Sequence, residues 1–269
     1  MTYRTILVHV DRGAPGRLLT AVDLARQHGA ALIGLAAEAT PIPRFDADLG
    51  SYPTPVPDAA LAQIRDDFAL CEGSFVDACR RAGIQHQWRS ALDLPGDVVL
   101  AMARRADLVV VGPFSGDADN SPDPGELLMR IGRPLLVVPD GSTPRPFKRA
   151  IVAWKDTREA RRAATDALPL LRNAENVRLI AIATTPSLQP TEDLLDVTAH
   201  LAAHGVASKA EMRDPGDSTP EQALVSLAAT EADVIVAGGY GHSRLREWVL
   251  GGVTRALLDE TGVAALLSH

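Results

Sequence analysis

Ala106-Asp107-Leu108-Val109-Val110-Val111-Gly112 recurs as Ala232-Asp233-Val234-Ile235-Val236-Ala237-Gly238. In each copy a short apolar run is stopped by glycine. Such a run, with no polar alternation, suits a strand buried on both faces. The glycine suits a strand end that needs a close backbone approach or an unusual dihedral. The flanks repeat as well. Arg4-Thr5-Ile6-Leu7-Val8-His9-Val10-Asp11 opens the first half, and Arg149-Ala150-Ile151-Val152-Ala153-Trp154-Lys155-Asp156 opens the second. Each half closes on a further apolar run, Pro134-Leu135-Leu136-Val137-Val138 and Val263-Ala264-Ala265-Leu266-Leu267. The chain is written twice.

Between these anchors, strand and helix patterns alternate. Strands are expected near 4–10, 30–37, 84–89, 107–112 and 134–138, with helices near 15–28, 58–82, 95–105 and 125–131. In the second half strands are expected near 150–154, 177–183, 206–212, 233–238 and 263–268, with helices near 157–171, 191–204, 219–231 and 246–260. Alternation of this kind predicts parallel sheets covered by helices on both faces. The fold class is therefore α/β: two tandem, five-stranded, Rossmann-like parallel-sheet domains. Pro139 to Pro146 is rich in proline and carries Gly141, so it reads as a linker. The expected division is a domain over 1–140, a linker over 141–148 and a domain over 149–269. A proline-rich loop from Thr40 to Pro57 occurs only in the first half.

Composition sets outer limits. The 269 residues are 46% hydrophobic, 23% charged and only 4% aromatic, so the core is built from aliphatic residues, as parallel sheets usually are. A formal net charge of -7 argues against nucleic acid and anionic membrane as partners. No apolar run approaches a membrane span, and the chain opens directly into a strand pattern rather than a leader, so the expected location is cytoplasmic. Cys71 and Cys79 lie eight apart in one helical stretch and are expected to be reduced and without function.

Ligands of such sheets bind beyond the carboxyl ends of the strands, where the strand order switches. In the second half that place holds Gly238-Gly239-Tyr240-Gly241-His242-Ser243-Arg244, followed by Gly251-Gly252-Val253-Thr254 and a helical run. Glycines leave backbone N–H groups open to an anion, and a helix start adds a favourable dipole. Arg244, Arg246 and Arg255 add positive charge. The first half carries Gly112-Pro113-Phe114-Ser115 instead, then Asp117, Asp119, Asp123 and Glu126, which would repel a phosphate.

Gly238, Gly241 and, nine residues further on, Gly251 resemble the nucleotide-binding motif of the universal stress protein family. The stretch from Gly239 to Glu247, the run Leu250 to Arg255 and the ending Leu266-Leu267-Ser268-His269 resemble a bacterial branch of it. Ile6 to Asp11 resembles the family's first strand with its terminal Asp. The resemblance covers the chain as two family domains, and implies an adenine nucleotide alpha hydrolase-like fold. It also implies a phosphate loop of Gly238, Gly241, Gly251, Gly252 and Val253, and a base side of Ala153 and Ile182. The implied ligand is ATP with Mg²⁺ or another adenine nucleotide, and no cofactor is required. Two departures stand out. Gly252 replaces the family's Ser or Thr, and the family Asp falls on either Lys155 or Asp156. Asp156, with Glu159 three residues on, suits a helix N-cap, which leaves Lys155 either as a phosphate-facing candidate or simply solvated.

Other candidates read more plainly. His200 and His204 share a helical face but have no third ligand, so no metal site is assigned. His9 reads as a satisfied core histidine. Trp154 reads either as a base-stacking residue or as an edge of the core. The aspartates at 117–123 read as a solvated loop. No catalytic residue is assigned. The leading expectation is a stress-related nucleotide-binding protein that is not an enzyme. An interaction module that has lost the nucleotide and a weak ATPase are the alternatives. The two halves are expected to pair within the chain through their last strands, and a homodimer of chains is compatible with this.

Overall fold

The computed structural model describes residues 2–41, 56–182, 190–239, 252–258 and 262–269. The first half runs β1 (Thr5–His9), α1 (Pro15–His28), β2 (Ala31–Glu38), α2 (Asp58–Ala82), β3 (His86–Leu92), α3 (Pro95–Ala103), β4 (Leu108–Val111), α4 (Pro124–Arg130) and β5 (Leu135–Val137). The second runs β6 (Arg149–Ala153), α5 (Arg158–Asp166), α6 (Leu168–Leu171), β7 (Asn176–Ile182), α7 (Glu192–Ala203), β8 (Lys209–Arg213), α8 (Pro220–Glu231), β9 (Val234–Gly238), α9 (Gly252–Leu258) and β10 (Ala264–Ser268).

Among the described residues, all ten strands belong to one sheet, in the order β3-β2-β1-β4-β5-β10-β9-β6-β7-β8. Every pairing is parallel except the central one. There β5 and β10 run antiparallel, with Leu136 opposite Leu266 and Leu135 opposite Leu267. The last strands of the two halves thus meet inside the chain, as expected. The carboxyl ends of the first five strands consequently point opposite to those of the second five.

The apolar runs are buried on both faces because helices cover both. Ile6 and Val8 point into one cluster with Leu18 of α1 and Phe75 of α2, and Val152 and Ala163 continue it in the second half. Leu7 points the other way, into a cluster with Val99 of α3 and Leu127 of α4, which Ile151, Leu224 and Leu257 extend. The outer strands differ in kind. β3 is His-Gln-Trp-Arg-Ser-Ala-Leu and β8 is Lys-Ala-Glu-Met-Arg, both only partly buried. On β7, Arg178 forms a two-pronged ion pair with Glu211 of β8, at 2.9 and 3.1 Å. Charged outer strands of this sort resist pairing with another sheet.

Three expected elements shift. The helix expected over 157–171 breaks into α5 and α6. Pro169 has no N–H to continue the ladder, and it stands in the first turn of the second piece, the position a helix tolerates. The third strands of the two halves begin later than expected, at His86 and Lys209. Of the helix expected over 246–260, 252–258 is helical and the rest lies outside the described residues.

Candidate functional site

In each half the chain leaves the inner strand for one neighbour and later returns on its other side. β1 lies between β2 and β4, and β6 lies between β7 and β9. The two crevices beyond β1/β4 and β6/β9 are the ligand positions of this architecture.

Sheet register settles which residues correspond. Val8 lies opposite Val110, and Val152 lies opposite Val236. Two residues on, Val10 N–H donates to Leu35 O at 2.8 Å and Trp154 N–H donates to Ile180 O at 2.7 Å. Val10 and Trp154 are therefore counterparts, and the next residues, Asp11 and Lys155, occupy one structural position. Asp156 is a step further out, exposed, and ion-paired with Arg161. It does not cap α5. Thr157 does, its hydroxyl accepting from Ala160 N–H at 3.2 Å. The spacing to Glu159 suggested the wrong residue because Lys155 and Asp156 are used up in leaving the strand. Trp154 is a core edge rather than a stacking platform: it is buried, and its Nε1–H donates to Asp193 on α7 at 2.8 Å. Hydrogen bonds from Thr191 and then Trp154 hold the Asp193 carboxyl below its usual range.

Around the second crevice, Ala153 lies level with Ile180 on β7, and Ile182 extends the same face two residues outward. Both are half-buried against the α8 and α9 side of the core. Gly238 ends β9. A Cβ there would stand 2.5 Å from the Ala160 nitrogen and 2.6 Å from the Glu159 carbonyl carbon, so only glycine lets α5 start so close under the strand end. Gly239 is held on three sides. Its N–H donates to Ser268 O at 2.8 Å, its carbonyl lies 3.1 Å from His269 Nδ1, and Leu128 of the first half packs where its Cβ would be. Lys155 is exposed at the lip. Gly252 opens α9 and Val253 follows it. Gly241, Gly251, Arg244 and Arg246 lie outside the described residues. Ala153, Ile182 and Gly238 are thus brought to one row of strand ends.

The first crevice is built differently. Arg17 of α1, 3% exposed, lies across Gly112 at the end of β4, and a side chain on Gly112 would overlap the guanidinium. Arg17 donates through Nη1 to Asp11 Oδ2 at 2.6 Å and to His9 O at 3.4 Å, and through Nη2 to Asp140 Oδ1 at 2.6 Å. Burial alone would raise the Asp11 carboxyl, but Arg17 outweighs it and holds the group below its usual range. His9 corrects an expectation. It is buried as foreseen, but its ring is held only loosely: Nδ1 lies 3.9 Å from Asp11 Oδ2, and a backbone contact with Ala37 is too weak to offset burial. Burial first, and Arg17 second, lower it from 6.5 to about 4. The acidic loop is held by its own side chains and by a backbone bond to the end of β2. Asp123 caps α4 by accepting from Gly125 N–H at 2.7 Å, and Asp119 O accepts from Ala39 N–H at 2.8 Å beside β2. Sequence reading missed Arg17 altogether. Its helix pattern is ordinary, and its partner Asp140 is 123 residues away.

The remaining candidates stay outside both crevices. His200 and His204 stack edge to face at 4.7 Å on the exposed side of α7. Among the described residues no group of three His, Cys, Asp or Glu side chains is placed to hold a metal ion. Cys71 and Cys79 are buried free thiols, each raised by burial to about 11. Among the described residues no helix is long and apolar enough to cross a membrane.

Fold and crevices define a duplicated, doubly wound α/β protein whose halves share one sheet. More narrowly, the fold is that of universal stress proteins. The structure of a universal stress protein from Archaeoglobus fulgidus matches with a TM-score of 0.71 at 14% identity, over 98% of this chain and 97% of that one. A functionally unknown protein from Pseudomonas aeruginosa PAO1 matches with a TM-score of 0.57 at 17% identity, over 99% of this chain and 92% of that one. No protein-family model and no curated protein matches the sequence.

Proposed function

We propose that this chain is a tandem universal stress protein, with domains over 1–140 and 149–269 joined by 141–148, that binds one adenine nucleotide in its second domain. One observation carries this reading: Lys155 occupies the position that Asp11 occupies in the first half, so the two crevices carry opposite charge at one place. The first presents Asp11, Asp140 and the 117–123 loop, and the guanidinium of Arg17 fills it. The second presents Lys155 and a glycine at each described position where the loop begins. With the first crevice closed by its own ion pairs, a nucleotide is favoured in the second alone. Ala153 and Ile182 supply an apolar wall for a base, and Gly238, Gly241, Gly251, Gly252 and Val253 supply backbone donors for phosphates. The reading is of binding in the cytoplasm rather than catalysis, since the motif brings no general base with it.

Gly252 lacks the hydroxyl that the family usually places there. One hydrogen bond is worth about 0.5–1.5 kcal/mol, so the affinity is expected to be about tenfold below that of relatives with Ser or Thr. Calorimetric titration of the intact chain with ATP and Mg²⁺ is expected to give one site. Gly241→Val is expected to abolish it, and Glu126→Ala is not expected to create a second. A stoichiometry of two, or unchanged binding by Gly241→Val, contradicts the asymmetric site. Absence of binding by the parent chain favours an interaction module instead, the reading to which the glycine at 252 also points.

A further inference from the structure

Buried polar atoms that lack partners gather at the first crevice. Among the described residues, Nε of Arg17 and Oγ of Ser142 are of this kind, and the His9 ring beside them makes no bond of ordinary length, its Nδ1 lying 3.9 Å from Asp11 Oδ2. Such atoms normally find partners, so a cluster of them marks a place built for something more than packing. Arg17 shows the shortfall most clearly. Its Nη1 is satisfied by Asp11 Oδ2 and the His9 carbonyl. The opposite edge of the guanidinium, Nε with Nη2, is a two-pronged donor suited to a ligand with two oxygens. Asp140 meets that edge with a single oxygen, at Nη2, and leaves Nε unpaired.

Asp140 comes from the linker, not from the sheet. Pro139 to Ser142 form a turn closed by Ser142 N–H donating to Pro139 O at 3.3 Å, with Gly141 at φ 72°. The turn lays the Ser142 carbonyl against Gly16, where any larger residue would collide with it. It thereby covers the first turn of α1, whose N-cap, Ala14, has no side-chain acceptor to offer. The Asp140 carboxylate stays half exposed while its partner is almost wholly buried. Solvent therefore reaches the pair from the linker side.

We propose that Arg17 and the first turn of α1 form an oxyanion site in the first half, held shut by Asp140 of the linker acting as an internal ligand. The occupant that fits is a small tetrahedral or planar oxyanion of the phosphate class, which can take Nε and Nη2 together. Asp11 remains on Nη1 and orients the guanidinium. The site is separate from the glycine loop of the second half and lies at the opposite end of the sheet, and it does not depend on nucleotide binding there. Since the internal ligand is a carboxylate, an incoming oxyanion must displace the linker turn.

The test uses inorganic phosphate as probe and the full-length chain. Asp140→Asn is expected to bind one phosphate per chain at least about tenfold more tightly than the parent, the effect of one charge-assisted contact. Adding Arg17→Gln to that variant is expected to abolish the gain. Equal phosphate affinity in parent and Asp140→Asn overturns the proposal, as does a gain that survives Arg17→Gln. If Asp140→Asn does not fold, hydrogen exchange on the parent decides. Phosphate is expected to speed exchange of the Ser142 amide beyond chloride at matched ionic strength, and no difference between the two salts overturns the proposal.

Discussion

His9 and Arg17 share a strand end and make opposite demands on charge. The unfolded chain takes up a proton on His9 as pH falls below about 6.5, whereas the folded chain resists until about 4. Between those values the unfolded state holds more protons. Stability therefore declines as pH falls through this window, by up to about 3 kcal/mol, and is insensitive to this group below it. His9→Leu is expected to flatten the decline, read from urea unfolding at several pH values between 7 and 4. Parallel losses in parent and variant would place the source elsewhere. Arg17→Met leaves Asp11 and Asp140 without their cation; both carboxylates keep access to water, so the expected cost is about 1–3 kcal/mol, short of a fully buried broken pair. A loss under about 1 kcal/mol, the range of surface pairs, would mean the clasp is looser than its geometry. Little of this was legible beforehand. Asp11 was visible as the end of a strand, but whether Lys155 or Asp156 matched it depended on sheet register, which only the pairing with β7 and β9 fixes.

At the level of elements, α5 and β9 meet through Gly238, and the meeting is backbone against backbone. Gly238→Ala forces α5 away from the strand end and is expected to cost about 1–3 kcal/mol, in line with other overpacked sites. Gly239→Ala meets the Leu128 side chain, first at Cδ2, and no backbone, and is expected to cost less in the same thermal melts. Equal losses at the two positions would contradict this distinction. The cap of α5 gives a second contrast: Thr157→Ala is expected to cost about 1 kcal/mol and Asp156→Ala less than about 0.5. The order of elements was readable because each strand is a closed apolar run and the helices carry the complementary period. The break at Ala167 was harder to read, because apolar residues continue through Pro169 and mask the missing N–H. For the site, the glycines at strand ends announced themselves, whereas Arg17 hid within an ordinary amphipathic pattern.

At the level of the whole molecule, the central antiparallel pairing makes a single sheet of ten strands from two sheets of five. Residues 1–140 and 148–269, produced separately, are expected to associate with themselves or each other, because β5 and β10 then expose Leu135, Leu136, Leu266 and Leu267 along an open edge. Sedimentation showing both pieces as folded monomers would mean the junction is dispensable. The same pairing bears on how the halves were free to diverge. A complex of two identical chains carries two identical crevices, and a change in one is a change in both. Within one polypeptide the partners are unlike by construction and always present in equal number, and tethering keeps them together at any dilution. One crevice was therefore at liberty to close on its own arginine while the other kept its glycines.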